Sequence, residues 1–284
     1  MWVEGNRLLA KRLPRVHKML KRTVRPFLNL RMFPPVPKFL RGRFVLMHPT
    51  YIASPVCEPK VQAWLEANLA KRAVFFDVGA YHGVHTMLGS RLTGRGGWVV
   101  AFEPSPPNLE RLRYHLRMNL MRNVEVVACI VGQTTETEAD FWMVDEGVSS
   151  SNSAAFGSLE TIPRMEGSSL VKVKLPSVSL DDFHRRSGLT PDVIKIDVEG
   201  FEVQVIRGAS HLLREHRPLL ILAVHPFWLP PGDTPNSLMH LLEVHGYEAY
   251  DDNGLLVETL DFDEYLLVPR ERCSETLVTG GTAG

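Results

Sequence analysis

Carboxylate and imidazole side chains stand directly after short apolar runs at four places in this chain. The side chains are Asp77, Glu103, Asp197 with Glu199, and His225. If the apolar runs are strands of one parallel sheet, their carboxyl ends meet at the same edge, and the fold gathers these groups into one site. A carboxylate beside an imidazole is the pairing that general acid–base catalysis uses. The spacing therefore predicts a site assembled from distant parts of the sequence.

The first of these groups opens a glycine turn. Asp77 is followed by Gly79 and Gly83, and Glu103 ends the next apolar run after an intervening helical segment. Glycine lets the backbone approach a ligand closely, and the helix N-terminus after such a turn presents free N–H groups. A carboxylate at the end of the second strand can accept hydrogen bonds from ribose hydroxyls. This unit predicts a nucleotide-binding site.

The spacing within the turn bears on which nucleotide is bound. A dinucleotide fold requires G-x-G-x-x-G, whereas this chain has Asp77-x-Gly79-x-x-x-Gly83. A carboxylate at the start of the turn would repel a pyrophosphate but would suit the ammonium and sulfonium groups of S-adenosylmethionine. The pattern therefore disfavours a dehydrogenase and favours S-adenosylmethionine as the cofactor.

Apolar runs alternate with amphipathic segments, which predicts an α/β fold with a doubly wound parallel sheet. We predict strands at residues 74–76, 98–102, 124–131, 139–144, 171–175, 192–197, 218–224, 247–250 and 265–268. Helices are predicted at residues 60–69, 83–92, 106–120, 180–186, 201–215 and 237–245. The long polar segment at 132–170, with serines at 149–153, predicts a functional or mobile loop.

Three parts of the chain follow from these patterns. Residues 1–59 form a basic amphipathic N-terminal extension and a proline-rich connector, which we predict to be irregular over residues 31–59. Residues 60–270 form the α/β domain, and residues 271–284 form a flexible tail.

The charge of the chain is divided unevenly. Its 284 residues carry 32 Lys and Arg against 32 Asp and Glu, but residues 1–45 hold 12 of the basic residues and a single acid, Glu4. Apolar residues recur there at helical spacing, from Leu9 to Phe27, which predicts a basic amphipathic helix. Such a helix packs on the body of the protein, lies on an anionic membrane, binds nucleic acid or acts as a transit peptide. The scarcity of aromatic residues disfavours nucleic acid.

Cysteine usage and hydropathy limit the location. Cys57, Cys129 and Cys273 are far apart and predict neither a disulfide framework nor a zinc site. No apolar run approaches the ~20 residues of a membrane span, and no secretory signal is recognisable. We therefore predict a cytoplasmic protein, with residues 1–45 as the candidate for a peripheral membrane contact. The oligomeric state does not follow from the sequence.

Several motifs occur together and in order, and they resemble the FkbM-type methyltransferases. They are Asp77-Val78-Gly79-Ala80, Phe102-Glu103-Pro104, the boxes at residues 178–183 and 194–202, and Gly208-Ala209. The resemblance spans about residues 72–270. It implies an S-adenosylmethionine-dependent O-methyltransferase with the seven-stranded class I sheet, whose last strand is antiparallel. Family members are associated with hydroxyls of sugars, glycans, lipids and polyketide-type metabolites.

The resemblance also implies roles for individual residues. The cofactor would contact Asp77, Gly79, Ala80, Tyr81, Gly83, Glu103, Pro104 and Cys129. Two departures from the family pattern stand out. Tyr81 replaces the common Asn, and the segment at 128–132 has no acidic residue, so backbone and apolar groups would hold the adenine.

Methyl transfer to a hydroxyl requires a positioned acceptor and a base. Methyl transfer from a sulfonium to oxygen is an in-line displacement, and a positioned base assists the hydroxyl. We predict Asp197, Glu199 and His225 as the catalytic residues, with Asp197 or His225 as the base. The same three residues suit Mg²⁺ or Mn²⁺, although the sequence does not place three ligands. A non-catalytic module, with residues 1–45 as its working part, remains the alternative because of Tyr81.

Overall fold

The computed structural model describes residues 35–48, 58–144 and 170–273 of the chain. The amphipathic pattern at residues 9–27, the serines at 149–153 and residues 274–284 lie outside the described residues, so the predictions for them stay predictions. Within the described residues, no helix has the length and apolar character needed to cross a membrane.

Strands and helices alternate through most of the described residues. The strands are β1 (Val36–Leu40), β2 (Arg43–Met47), β3 (Val74–Val78), β4 (Trp98–Phe102), β5 (Val124–Val127), β6 (Ile130–Val131), β7 (Glu136–Val144), β8 (Leu170–Val178), β9 (Val193–Ile196), β10 (Leu219–Ala223), β11 (Tyr247–Tyr250), β12 (Leu256–Val257) and β13 (Glu264–Pro269). The helices are α1 (Pro59–Asn68), α2 (Val84–Thr93), α3 (Pro106–Met118), α4 (Leu180–Ser187), α5 (Glu202–Arg207), α6 (Ser210–Glu215) and α7 (Pro235–Val244), with 3-10 turns at Pro226–Trp228 and Arg270–Arg272.

The main sheet of the described residues has eight strands in the order β12-β11-β13-β10-β9-β3-β4-β5. β10, β9, β3, β4 and β5 run parallel, and β13 runs antiparallel to both of its neighbours. The predicted doubly wound class I sheet, with an antiparallel last strand, is confirmed. The predicted class I sheet has seven strands. The two-residue β12 is an eighth strand, which pairs with β11 at the edge of the sheet. A second sheet has the order β6-β8-β7.

The central strands are apolar throughout because both faces of the sheet are covered. In β3, Phe75 and Phe76 are both fully buried, and they pack into different clusters on opposite faces. Successive side chains of a strand point to opposite faces, so a strand that is covered on both sides needs a continuous apolar run. Chain order reverses between β3 and β9, and their carboxyl ends form the switch point at which ligands bind in such folds.

The predicted irregular connector is wrong for residues 36–47, which form the β1–β2 hairpin. Leu40, Val45 and Met47 are buried in one of the two core clusters. Asn119 clamps the hairpin to the end of α3, because its side chain accepts a hydrogen bond from Leu46 N at 2.8 Å and donates one to Leu46 O at 2.7 Å. Prolines suggested a connector, but a two-stranded ribbon consists of edge strands and tolerates proline.

Two predicted elements are interrupted in the structure. The strand predicted at 124–131 divides into β5 of the main sheet and β6 of the second sheet. The helix predicted at 201–215 divides into α5 and α6. Asp181 caps the start of α6, since its carboxylate accepts hydrogen bonds from His211 N and Leu212 N, at 2.8 and 2.9 Å. A contact from another element therefore stabilises the point at which the second helix begins.

Candidate active site

A cavity of about 410 Å³ opens at the carboxyl ends of the central strands. Its volume lies within the range of about 300–1,000 Å³ found for small-molecule sites. The sequence-predicted residues in its wall are Gly79, Ala80, Tyr81, Glu103, Pro104, Cys129, Asp197, Glu199 and His225. Asp77 and Gly83 do not line it. The fold thus brings most of the predicted site together and leaves two members of the glycine turn outside it.

The turn after β3 is fixed on two sides. The N–H groups of Gly79 and Ala80 both donate to Phe102 O, at 3.0 and 2.9 Å, which ties the turn to the end of β4. Gly79 has a φ of +79°, and a Cβ placed there would lie 1.8 Å from the carbonyl oxygen of Asp197. Only glycine satisfies this backbone angle together with this contact. The turn therefore packs directly against the loop that carries the catalytic candidates.

Glu103 is held rigidly in the cavity wall. Its carboxylate accepts hydrogen bonds from Tyr81 N at 2.8 Å, Ser105 N at 2.9 Å and Asn108 Nδ2 at 3.1 Å. Burial raises the pKa of Glu103 to about 7, although these donors oppose the shift. Because a carboxylate offers about four acceptor positions, about one remains for a ligand hydroxyl.

Tyr81 occupies a left-handed backbone position with a φ of 51°. Its ring stacks on His82, with the centroids 3.6 Å apart. Asn tolerates this conformation better than other residues with side chains, because its short polar group bonds locally. Tyr81, which stands where the family commonly has Asn, therefore lies at a strained backbone position. Its ring stacks on His82, whereas an Asn side chain would form a local hydrogen bond.

One wall of the cavity is apolar. The apolar residues that line the cavity include Phe102, Cys129, Ile130 and Phe141. Burial raises the pKa of the Cys129 thiol to about 12, so the residue acts as a small apolar group. Sequence reasoning identified the strand that contains Phe141 but not its place in this wall, because β7 belongs to the second sheet. This wall suits a flat apolar ligand such as a nucleobase.

Asp77 lies beneath the cavity instead of in its wall. The residue is fully buried, and Thr86 Oγ1 donates a hydrogen bond to its Oδ2 at 2.5 Å. The Lys195 ammonium lies 3.9 Å from Asp77 Oδ1 and donates to Gly79 O at 3.3 Å. The structure therefore places Lys195 between Asp77 and the cavity, where the sequence had predicted a direct contact between Asp77 and the cofactor.

Lys195 also fixes the charge of Asp197. Its Nζ lies 3.0 Å from Asp197 Oδ2. Burial by itself would lower the pKa of Lys195, but the carboxylates of Asp197, Asp77 and Glu58 raise it above its ordinary value. Burial opposes the ionisation of Asp197, yet the Lys195 charge lowers the pKa of this carboxyl below its usual range. Asp197 is therefore a carboxylate, with one oxygen occupied by Lys195.

His225 is oriented by a buried carboxylate. Its Nδ1 lies 2.7 Å from Oε1 of the fully buried Glu202, and its ring stacks on Trp228 at 5.2 Å. Its Nε2 points to the cavity, 3.7 Å from Asp197 Oδ1 and 3.8 Å from Glu199 Oε2. Burial by itself would lower the pKa of His225, but the Glu202 hydrogen bond and the neighbouring carboxylates raise it to about 9.

The backbone at Glu199 and Gly200, which brings the Glu199 carboxyl close to Asp197 and His225, is in the left-handed region. Glu199 and Gly200 have φ values of 54° and 98°. A Cβ at Gly200 would lie 2.2 Å from Trp228 O, so the loop packs closely against the turn that follows His225. Burial raises the pKa of Glu199 to about 8. A strained loop that brings a carboxylate to an imidazole is typical of functional sites.

Some wall residues carry no recognisable sequence signal. Glu58 precedes α1, and its Oε2 lies 3.4 Å from His85 Nε2. Burial raises the pKa of Glu58 and lowers the pKa of His85 to about 4. Phe262 contacts His225 edge-on at 5.6 Å. These contacts arise between elements that are distant in the chain, and no spacing rule predicts them.

Comparison with known proteins gives one family match. The model described as the FkbM methyltransferase domain matches residues 77–249. A comparison with curated protein sequences gives no significant match.

Three solved structures resemble this chain at low sequence identity. A methyltransferase FkbM from Methylobacillus flagellatus KT is 21% identical, with a TM-score of 0.44 over 69% of this chain and 43% of its own, so the chain spans less than half of that protein. Fibrillarin from Aeropyrum pernix, solved with natively bound S-adenosyl-L-methionine, is 13% identical, with a TM-score of 0.44 over 84% of each chain. A SAM-dependent O-methyltransferase from Thermotoga maritima is 9% identical, with a TM-score of 0.43 over 82% of this chain and 76% of its own.

Proposed function

The chain belongs to the FkbM methyltransferase family, and we propose that it transfers a methyl group from S-adenosylmethionine to a hydroxyl of a sugar, glycan, lipid-linked or polyketide-type acceptor. One observation carries the proposal. A single cavity joins the glycine turn and Glu103 to the group formed by Asp197 and His225. Residues suited to binding a cofactor and residues suited to catalysis that line the same cavity are what a group-transfer enzyme requires.

The chemistry of the wall fits the cofactor. Cys129 and Phe141 offer an apolar surface to an adenine, and Glu103 retains an acceptor position for a ribose hydroxyl. Asp197 and Glu199 offer negative charge to a sulfonium and an ammonium. When bound, S-adenosylmethionine supplies an electrophilic methyl group.

The acceptor hydroxyl would meet the group formed by Asp197, Glu199 and His225. Transfer requires the acceptor oxygen about 3–3.5 Å from the methyl carbon and in line with the breaking bond, so positioning is the main contribution. Asp197 and His225 are the candidates to receive the hydroxyl proton, and His225 can do so only after it has lost its own proton, because its pKa is about 9. Glu202 orients His225 through the bond at 2.7 Å.

The rim of the cavity suits an acceptor with an apolar face. Phe262 lines the cavity and is 56% exposed, and Phe227, at 6.4 Å from Phe262, is 71% exposed. Exposed aromatic rings stack against sugar rings, acyl chains and polyketides. This observation supports the acceptor classes that the family resemblance implies.

Two measurements test the proposal. Calorimetric titration of the full chain with S-adenosylmethionine should give one binding site. Incubation with cofactor labelled in the methyl group, together with extracts of glycans, lipids and polyketides, should transfer the label to a product that is stable to mild base, as a methyl ether is and a methyl ester is not. Absence of cofactor binding would contradict the proposal, and a base-labile product would contradict transfer to a hydroxyl.

We include in the proposal a contact between residues 1–45 and an anionic membrane surface. Phe39 and Phe44 lie opposite each other in the β1–β2 hairpin, 5.9 Å apart, and are 61% and 50% exposed. The excess of basic residues in 1–45 complements anionic lipid. The full chain should sediment with phosphatidylglycerol vesicles, and a Phe39→Ser, Phe44→Ser variant should do so less. Leu120→Ser, at another exposed apolar position, is the matched control.

A further inference from the structure

Three atoms that bind metals converge in the cavity without bonding to one another. Asp197 Oδ1 and Glu199 Oε2 lie 3.7 and 3.8 Å from His225 Nε2, and all three atoms lie within 4.8 Å of one another. These separations exceed a normal hydrogen bond. The two distances from His225 Nε2 match the spacing of ligands that share one cation, since two ligands that each lie about 2.0–2.3 Å from a common centre are at most about 4.6 Å apart.

The imidazole has the orientation that metal ligation needs. Glu202, which is fully buried, bonds to His225 Nδ1 and so turns Nε2 toward the two carboxylates. A carboxylate behind a histidine is the usual support of a metal-bound imidazole. The second oxygen of Glu202 is buried and has no hydrogen-bond partner among the described residues, which leaves negative charge next to the group.

The charge distribution points the same way. Lys195 faces Oδ2 of Asp197 and leaves Oδ1 turned to His225. Lys195 also faces the buried Asp77, so its single positive charge is shared between two carboxylates. Four carboxyl groups, those of Asp77, Asp197, Glu199 and Glu202, therefore surround two basic side chains, Lys195 and His225. A buried excess of carboxylates is expensive unless a cation accompanies it.

We propose that Asp197, Glu199 and His225 bind one divalent cation that takes oxygen and nitrogen ligands, of the Mg²⁺ and Mn²⁺ class. Three protein ligands leave coordination positions open to water or to an oxygen of the acceptor. The cation site stands on its own, while its role in activating the acceptor rests on the proposed function. In that role the three side chains act as ligands and not as the base: the cation lowers the pKa of the bound acceptor hydroxyl, and the proton leaves to solvent water.

Mn²⁺ is the probe for the test, because its electron paramagnetic resonance signal falls when the ion is bound. The full chain, freed of metal with a chelator, should remove one equivalent of Mn²⁺ from the free signal, and Mg²⁺ should compete. Asp197→Asn and His225→Gln should each abolish this binding. Glu202→Gln should weaken it by about 10- to 100-fold, as loss of an outer partner of a metal ligand does.

A matched control separates a site from general acidity. Glu264 lines the same cavity but lies outside the group of three, so Glu264→Gln should bind Mn²⁺ as the wild type does. Equal weakening by Glu264→Gln would overturn the proposal. Circular dichroism checks the fold of each variant, and Glu199→Gln, at a partly exposed side chain, serves if His225→Gln fails to fold.

The failure of this inference can be told apart from failure of the proposed function. S-adenosylmethionine binding without Mn²⁺ binding, and label transfer that survives the chelator, would remove the cation and leave the methyltransferase. Mn²⁺ binding without cofactor binding would leave the cation site and contradict the proposed function.

Discussion

A Cβ atom at Gly79 would lie 1.8 Å from the carbonyl oxygen of Asp197. The turn after β3 and the loop after β9 therefore meet through backbone, with no side chain between them. Gly79→Ala should displace one against the other and cost more than the ~1–2 kcal/mol of left-handed strain alone. Urea unfolding measures this cost. Gly188→Ala is the matched control, because Gly188 also has a positive φ, +71°, and open space around it. An equal cost in both variants would contradict the contact.

The affinity for S-adenosylmethionine should depend on pH through Glu103. Burial raises the pKa of Glu103 to about 7, so the carboxyl is protonated below that pH and loses its free acceptor position. The association constant should fall as the pH drops through 7, by up to about tenfold per unit. Calorimetry from pH 5.5 to about 8.5 measures it. Glu103→Ala should bind more weakly with a flatter profile, and that profile also corrects for titration of the ligand. An unchanged slope in the variant would assign the pH dependence elsewhere.

Replacement of Tyr81 should separate backbone strain from aromatic stacking. Asn tolerates a φ of 51°, whereas a β-branched side chain does not. Tyr81→Asn should unfold at nearly the wild-type urea concentration, because relief of strain offsets the lost stack on His82 of about 0.5–1.5 kcal/mol. Tyr81→Val loses the stack and keeps the strain, so it should be less stable than Tyr81→Asn by about 1–2 kcal/mol. The reverse order would contradict the backbone argument.

Removal of Lys195 should leave two carboxylates without their cation. Lys195→Met should destabilise the fold at pH 8 by about 3–5 kcal/mol, the usual cost of breaking a buried ion pair. The loss should be smaller at pH 5, because without the Lys195 charge the folded variant binds a proton at the buried Asp197 more tightly than the unfolded chain does, and its stability rises as the pH falls. Denaturant unfolding at both pH values measures this. Lys174→Met, at an exposed ion pair with Asp140, should change stability little at either pH.

The hairpin should depend on Asn119. Asn119→Ala removes the two hydrogen bonds to the backbone of Leu46 and leaves that N–H and carbonyl without these partners. We expect a cost of about 1–3 kcal/mol and faster amide exchange in residues 36–47, with the sheet amides nearly unchanged. Hydrogen exchange read by mass spectrometry tests this. Asn253→Ala, in an exposed turn, is the control, and uniform acceleration across the chain would indicate global destabilisation instead.

The sequence by itself determined the doubly wound sheet and the family. A strand buried on both faces must be apolar along its whole length, as in β9 and β10, and ligand-binding residues must follow where it ends. Both requirements concern residues that are close together in the chain, so the local sequence pattern is enough to predict them. Nine of the eleven predicted site residues therefore line one cavity.

The tertiary structure alone decided which of the predicted groups line the cavity. Lys195 lies in the strand that precedes Asp197, yet its ammonium separates Asp77 from the cavity. The hairpin at 36–47 is hydrogen-bonded by Asn119, and the start of α6 by Asp181, both of which are distant in the chain from the groups that they contact. Such contacts leave no trace in the local sequence pattern, because a polar residue that caps a remote backbone group cannot be told apart from any other polar residue before the chain is folded. The distances of 3.7 and 3.8 Å around His225 Nε2 likewise follow from strand packing and from no spacing in the sequence.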